Sequence, residues 1–296
     1  MTIEIRPLET IIEIRMVEDL QREVWGNTPT DIVPLHLLTT VAHNGGVLLG
    51  AWDAEAERLV GFVFGFLGTD DPDPRRIAAA NLKHCSHMLG VIPDYRDQRV
   101  GYQLKLAQRE RVLQQGVRLI TWTYDPLESR NAQLNIARLG CICKTYIREV
   151  YGEMHDTLNK GLPSDRFQVE WWLTSSRVEQ KISGDRPPLT FDSFISVGTS
   201  ILNPITNWGA VAAPRPADSV LTPDGTFALV EIPADFQQLK ANDLSLARDW
   251  KLQVRAIFES AFAAGYLVTD FLKKTIEGRQ RTFYVLSQGG MKLDEG

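Results

Sequence analysis

The chain has 296 residues, 44% of them hydrophobic and 23% charged, with a formal net charge of −5 at pH 7. That length suits one large domain or two ordinary ones, and the apolar fraction is enough for a packed core. The negative balance excludes a wholesale basic footprint, so neither nucleic acid nor an anionic membrane surface is expected as a partner.

Ile3-Glu4-Ile5-Arg6 alternates as a strand does, and Pro7 closes it. Ile11, Ile14, Val17 and Leu20 recur at helical spacing and predict a helix over Ile11–Trp25 that Gly26 ends. A second helix over Leu35–His43 is stopped by Asn44-Gly45-Gly46, and strands at 47–52 and 59–67 follow as a hairpin. A loop at 68–76, rich in Asp and Pro, leads to a strand at 84–92. Next comes a helix over 100–115, with Val100, Leu104 and Ala107 as its inner stripe and Gly116 as its stop. Leu119–Tyr124 reads as a buried strand, 132–138 as a short helix ended by Gly140, 141–150 as a strand, and 167–175 as a strand with two tryptophans. Beyond a break at 183–188 come strands at 190–196 and Phe227–Ile232, a long helix at 243–264, and a hairpin from 266–273 to 281–286. The expected domains are therefore 1–182 and a smaller αβ unit at 189–296.

Cys85, Cys141 and Cys143 are too few and too poorly spaced for a disulfide framework or a four-ligand zinc site. Cys141 and Cys143 alternate, so they share one face as small apolar side chains. His36, His43 and His155 lack metal-ligand spacing, and no metal is expected. No basic-then-apolar leader opens the chain and no apolar run approaches the ~20 residues that span a bilayer, so a reducing cytoplasm is the expected compartment.

The most informative segment is Leu89-Gly90-Val91-Ile92-Pro93-Asp94-Tyr95-Arg96-Asp97-Gln98-Arg99-Val100-Gly101-Tyr102, an apolar strand, a tight polar turn and the first turn of a helix. A helix N-terminus presents unpaired N–H groups and partial positive charge, which suits a pyrophosphate. Arg96, Arg99, Lys105, Arg109, Arg111 and Arg118 add local positive charge that reads equally as a solvated helix face or as a phosphate-facing patch.

This run resembles the acyl-CoA-binding motif of the GNAT superfamily of N-acetyltransferases, in which a strand ending in Val-x-Pro precedes Arg/Gln-x-x-Gly-x-Gly/Ala. Arg96 and Gly101 match the first and last positions, while Arg99 stands where the first glycine falls. An arginine there must approach phosphate with a Cβ attached, at a positive φ, and the compensation expected is that its guanidinium reaches a CoA phosphate. The order strand, two helices, three strands, helix, strand, helix, strand is also the GNAT order and covers about residues 1–150. The resemblance implies a mixed α/β fold with a central, mostly antiparallel sheet flanked by helices. It implies an acyl-CoA-dependent N-acyltransferase, with acetyl-CoA as cosubstrate and the amine of a small molecule or peptide as acceptor. Main-chain groups of Leu89, Gly90 and Val91 would hold pantetheine, and Arg96 with the N–H groups of Gln98, Arg99, Val100, Gly101 and Tyr102 would hold the pyrophosphate.

The tyrosine that gives a proton to the departing thiolate in many of these enzymes has no counterpart, since Ile136 falls at its place and Ser129 at that of the preceding asparagine. The string from Trp122 to Gly140, with Asp165-Arg166-Phe167 and Glu170-Trp171, resembles a subgroup of GNAT proteins with a C-terminal extension. Asn131 and Asn135 are candidate CoA contacts, Asp125 and Glu128 candidates for amine binding or general base work, and Tyr146, Tyr151 and Tyr124 candidate replacements for the acid. Turn, cap and core roles are equally open to these residues. His84 and His87 lie on the strand before the motif, where an edge or core role competes with that of a base.

Two further readings stay open. Ile136 and Arg99 fit a catalytically weak CoA-binding protein that keeps the cleft. The echo Leu229-Val-Glu-Ile-Pro-Ala-Asp-Phe, a helix, Gly265 and another strand fits a degenerate GNAT-like half and a tandem acyl or aminoacyl transferase. Exposed strand edges and the Trp171-Trp172 pair suggest a homodimer.

Overall fold

The structure is a computed structural model and describes residues 2–26, 32–70, 81–154, 159–185, 187, 189–206 and 213–288. Parts of the expected loops at 68–76 and 183–188, and His155, lie outside those residues. The described chain falls into two compact units that divide at Trp122/Thr123.

The first unit runs β1 (Ile3–Pro7), α1 (Ile11–Trp25), α2 (Leu35–His43), β2 (Val47–Asp53), β3 (Arg58–Thr69), β4 (Leu82–Val91), α3 (Val100–Gln114) and the start of β5 (Leu119–Tyr124). Its strands lie in the order β1-β2-β3-β4-β5, antiparallel except for the parallel β4–β5 pair. Local chemistry sets these limits. The Thr10 hydroxyl accepts from Glu13 N at 3.3 Å, and the Glu13 carboxylate accepts from Thr10 N at 3.1 Å, which closes the first turn of α1. Gly26 ends that helix at φ +99°, and Gly116, at φ +75°, ends α3.

The inner face of α3 differs from the expected stripe. Val100 and Leu104 are buried, but Lys105, Gln108 and Val112 join them, and Ala107 stays half-exposed. Gln108 is accommodated with His84 because β3 carries no side chain at Gly65, where a Cβ would lie 2.3 Å from His84 Nε2 and 3.1 Å from Gln108 Nε2.

The second unit contains α4 (Ser129–Ala132), a π-helical turn (Gln133–Arg138), β6 (Ile142–Ile147), β7 (Arg166–Trp172), α5 (Ser176–Ser183), α6 (Phe191–Ser196), β8 (Ser200–Ile201), β9 (Phe227–Ile232), α7 (Phe236–Asn242), α8 (Leu244–Ala263), β10 (Tyr266–Ile276) and β11 (Arg279–Gln288). Its strand order is β7-β6-β10-β11-β9-β8, antiparallel except for β8–β9. An aromatic core surrounds Phe167, whose ring centre lies 4.6 Å from that of Phe258 and 5.5 Å from that of Tyr284. The β1 to β6 element order is the one the GNAT resemblance implies, and the mixed, mostly antiparallel α/β architecture is as expected.

Two expectations are corrected. Residues 190–196 form helix α6 rather than a strand, because Thr190 and Ser193 make a capping box and Phe194 docks on Leu229, Leu272, Phe283 and Val285. Trp171 is fully buried and donates to Leu139 O at 2.8 Å, leaving only Trp172 half-exposed, so the tryptophan pair is no surface feature. Apart from these, β11 lies between β9 and β10 in the Leu229 echo. Cys141 and Cys143 are both buried, and burial pushes the Cys143 thiol far above its usual range. Among the described residues, no helix is long and apolar enough to cross a membrane and no group of three or more His, Cys, Asp or Glu is placed to hold a metal ion.

Candidate active site

The first unit brings the motif residues together at one end of β4. The parallel ladder registers His84 with Ile120 and Cys85 with Thr121, and β4 then runs on through Ser86–Val91 without a β5 partner. Its other edge is paired to β3 except for a bulge at His87, with Val63 opposite Leu89 and Gly61 opposite Val91. Ile92 N donates to Val60 O at 3.0 Å, and main-chain direction alternates along an antiparallel strand. It follows that Gly90 bonds toward β3, whereas Leu89 and Val91 turn their N–H and C=O groups to the edge that β5 leaves open. Gly90 has a steric role, since a Cβ there would lie 2.9 Å from both Phe62 and Trp25.

Beyond Val91 the chain makes a 3-10 turn, Pro93–Tyr95, fastened by the Tyr95 hydroxyl, which donates to Asp53 Oδ2 at 2.7 Å. Arg96 Nε donates to Val91 O at 3.2 Å and ties the turn to the strand end. Asp97 and Arg99 then adopt left-handed backbone at φ +64° and +63°. A non-glycine residue in that region costs about 1 kcal/mol or more. The first helical bond of α3 runs from Gln103 N to Arg99 O at 3.0 Å, so the N–H groups of Val100, Gly101 and Tyr102 precede any intrahelical acceptor. Arg99 and Gln98 are exposed beside them, and the Gln98 side chain donates to Asp94 O at 2.9 Å.

Of the basic residues near the turn, Lys105 is not a surface charge. It is 2% exposed, donates to Ser86 Oγ at 2.7 Å, and its ammonium lies 3.6 Å from the centre of the Trp122 ring. The polar pattern behind this site was present in the sequence as Lys105 and Gln108 three apart on α3, and His84 and Ser86 two apart on β4. His87 lies on the other face, with the rings of Phe64 and Phe66 each centred 6.0 Å away. It is exposed on that face.

Asp125, Glu128, Asn131, Asn135 and Tyr146 belong to the second unit. The Asp125 carboxylate accepts from Leu127 N at 3.0 Å and pairs with the buried Lys251 ammonium, so it shapes a turn and balances a charge. Glu128 is half-buried and accepts from the Gln237 side chain. Burial, reinforced by the charge of Asp125, raises its carboxyl pKa. The Tyr146 hydroxyl donates to Asp165 Oδ2 at 2.9 Å, and burial and that carboxylate raise its pKa far beyond the usual phenol value. The Tyr284 hydroxyl donates to Pro126 O at 2.7 Å and therefore receives the bond from Tyr124, its neighbour at 3.2 Å. Both phenols are buried, whereas Tyr151 is exposed and bonded to Thr123. Asn131 is exposed, Asn135 is buried in the π-helical turn, and Ile136 is a core residue at 0% exposure.

No protein-family model matches this chain, and no curated protein does. Solved structures similar to part of it include Arabidopsis thaliana NAA60 in complex with acetyl-CoA, at 16% identity and a TM-score of 0.45, covering 58% of this chain and 99% of the other. The ribosomal-protein-S18-alanine N-acetyltransferase from Escherichia coli is similar at 12% identity and a TM-score of 0.44, covering 59% and 96%. An N-acetyltransferase from Staphylococcus aureus Mu50 is similar at 14% identity and a TM-score of 0.42, covering 59% and 100%. Likenesses of this size assign neither a substrate nor a site residue.

Proposed function

We propose that this chain is a GNAT-type N-acetyltransferase that transfers the acetyl group of acetyl-CoA to the amine of a small molecule or peptide. The observation that carries this reading is the parallel ladder that stops after two pairs while β4 continues to a turn of left-handed residues and a free helix start. The open edge at Leu89 and Val91 suits the amides of pantetheine, and the N–H groups of Gln98 to Tyr102 suit a diphosphate. Arg99 adds a guanidinium where a glycine would add none, and Arg96 anchors the turn from behind. Asn131 and Asn135 are retained as CoA contacts.

In such a transfer the neutral amine attacks the thioester carbonyl, one group takes its proton, and the thiolate leaves. Glu128 has the chemistry of that base, because its raised pKa brings its proton affinity closer to neutral pH. Asp125 would hold Lys251 and the turn before Glu128 in place. Tyr146 would remain protonated and able to donate. The tie of Tyr146 to Asp165 and the burial of Ile136 favour one second reading, a CoA-binding protein with slow chemistry. We assign the enzyme to the cytoplasm, with residues 1–182 as the acetyltransferase domain, 189–296 as its extension, and a homodimer as its assembly.

Titration calorimetry with CoA tests the core of this proposal. Arg96→Ala/Arg99→Ala is expected to bind on the order of ten- to a hundredfold more weakly, the loss of one or two charge-assisted bonds. Arg99→Gly, which relieves the left-handed backbone but removes the guanidinium, should show only part of that loss. Unchanged affinity in the double variant would remove the arginines from the site, and a wild-type chain that does not bind CoA would remove the site itself.

A further inference from the structure

Lys105 stands where two parallel strands part. The last β4–β5 pair is Cys85–Thr121, and the next residues on the two strands are Ser86 and Trp122. Lys105 reaches both from α3, through a 2.7 Å bond to Ser86 Oγ and a 3.6 Å approach to the Trp122 ring centre. One buried cation thus touches each arm at the first step past the last pair.

The bonds around it form a directed chain. Ser86 accepts from Lys105, so its hydroxyl proton goes to Gln108 Oε1 at 3.0 Å, which also accepts from Lys105 at 3.2 Å. Gln108 Nε2 then donates to His84 Nε2 at 3.2 Å. The accepting ring nitrogen places the imidazole hydrogen on Nδ1 by this network, and burial, with the Lys105 charge nearby, holds the His84 pKa down to about 4. The network therefore contributes one charge, the ammonium, and fixes its position from three sides.

Sinking an ammonium among strands is costly unless its bonds are made, and an apolar side chain would fill the same place without that cost. β4 also bulges at His87, one residue past Ser86, so the cation sits where the strand already departs from a regular ladder. The geometry points to Lys105 as a positioning residue, a strut that stops β4 and β5 from pairing beyond Cys85–Thr121 and sets the width of the opening that admits the pantetheine arm of acyl-CoA. This rests on the reading of that opening as a CoA site. It concerns the arm alone, because the diphosphate turn is built from other residues.

The test compares CoA with 3′-phosphoadenosine 5′-diphosphate, which is CoA without its pantetheine arm, by calorimetry on the full chain. Lys105→Met should weaken CoA by about tenfold or more while leaving the arm-less ligand within about twofold of wild type. General damage would instead weaken both ligands together, and that result overturns the strut. If Lys105→Met fails to fold, Ser86→Ala removes one of the two attachments and should shift the same affinity ratio several-fold, whereas an unchanged ratio overturns the proposal. Wild-type chain that binds CoA beside a Lys105→Met chain that binds it equally well refutes the strut alone. Wild-type chain that binds neither ligand refutes the CoA reading and the strut with it.

Discussion

Replacing Asp165 by alanine is expected to cost about 3–5 kcal/mol of folding stability, the usual penalty for removing one partner of a buried ion pair. The carboxylate is fully buried and accepts from Arg255 at 2.8 and 2.9 Å, from Tyr146 at 2.9 Å and from Glu149 N at 3.1 Å. Alanine would strand all of these donors. Burial alone would raise the Asp165 pKa, but the bonds from Arg255, Glu149 N and Tyr146 outweigh it and leave the carboxyl below its ordinary value. A depressed folded pKa contributes stability above the unfolded value, near 3.9, and loses it as pH falls through the folded one. Urea unfolding at pH 7 should therefore show the full difference between wild type and Asp165→Ala, and the difference should shrink as the pH is taken below about 4. A gap below about 1 kcal/mol at pH 7, or one independent of pH, would mean that this cluster is not held together by charge.

Glu128→Gln is expected to lower kcat by about 10²- to 10⁴-fold, the range that general base catalysis supplies. The change keeps size and hydrogen-bonding reach while removing the ability to take a proton. CoA affinity should be unaffected, since the diphosphate turn does not use this residue. Because its pKa is raised, Glu128 becomes a competent base only as pH climbs past its elevated value, so the acid limb of kcat/KM should lie above the ordinary glutamate range near 4.3. That limb should be absent in the glutamine variant. Acetyl transfer at the wild-type rate by Glu128→Gln would take the residue out of the chemistry and return the search for a base to groups such as His87.

What was legible in the sequence were the elements with local signals. The apolar spacing of Ile11, Ile14, Val17 and Leu20, Gly26, Gly116 and the run Leu119–Tyr124 gave boundaries close to those observed. Helix α6 was misread because Phe191, Phe194 and Ile195 look apolar at either period, and only the tertiary seat of Phe194 decides between them. Helices α5 and α7 are short and polar and went unseen, and nothing in Gln133–Arg138 distinguishes a π-helical turn from an α-helix.

The positive φ of Arg99 followed from the motif, as did the turn into α3. The reach of the ladder did not, because register between parallel strands depends on side chains far apart in the chain. Lys105 was equally hidden. A lysine among arginines reads as surface charge until the serine at position 86 and the Trp122 ring are seen to receive it. Asp125 and Tyr146 have partners, Lys251 and Asp165, of which Lys251 lies in the extension and is invisible to any argument confined to the motif.

The proposed function requires a diphosphate held at the start of α3 beside an open strand edge. A crystal structure of the protein with CoA tests this most directly. Phosphate oxygens are expected within hydrogen-bond distance of the N–H groups of Val100, Gly101 and Tyr102, with pantetheine amides bonded to Leu89 and Val91. CoA bound elsewhere, or β4 and β5 paired along Ser86–Val91 in its presence, would contradict it.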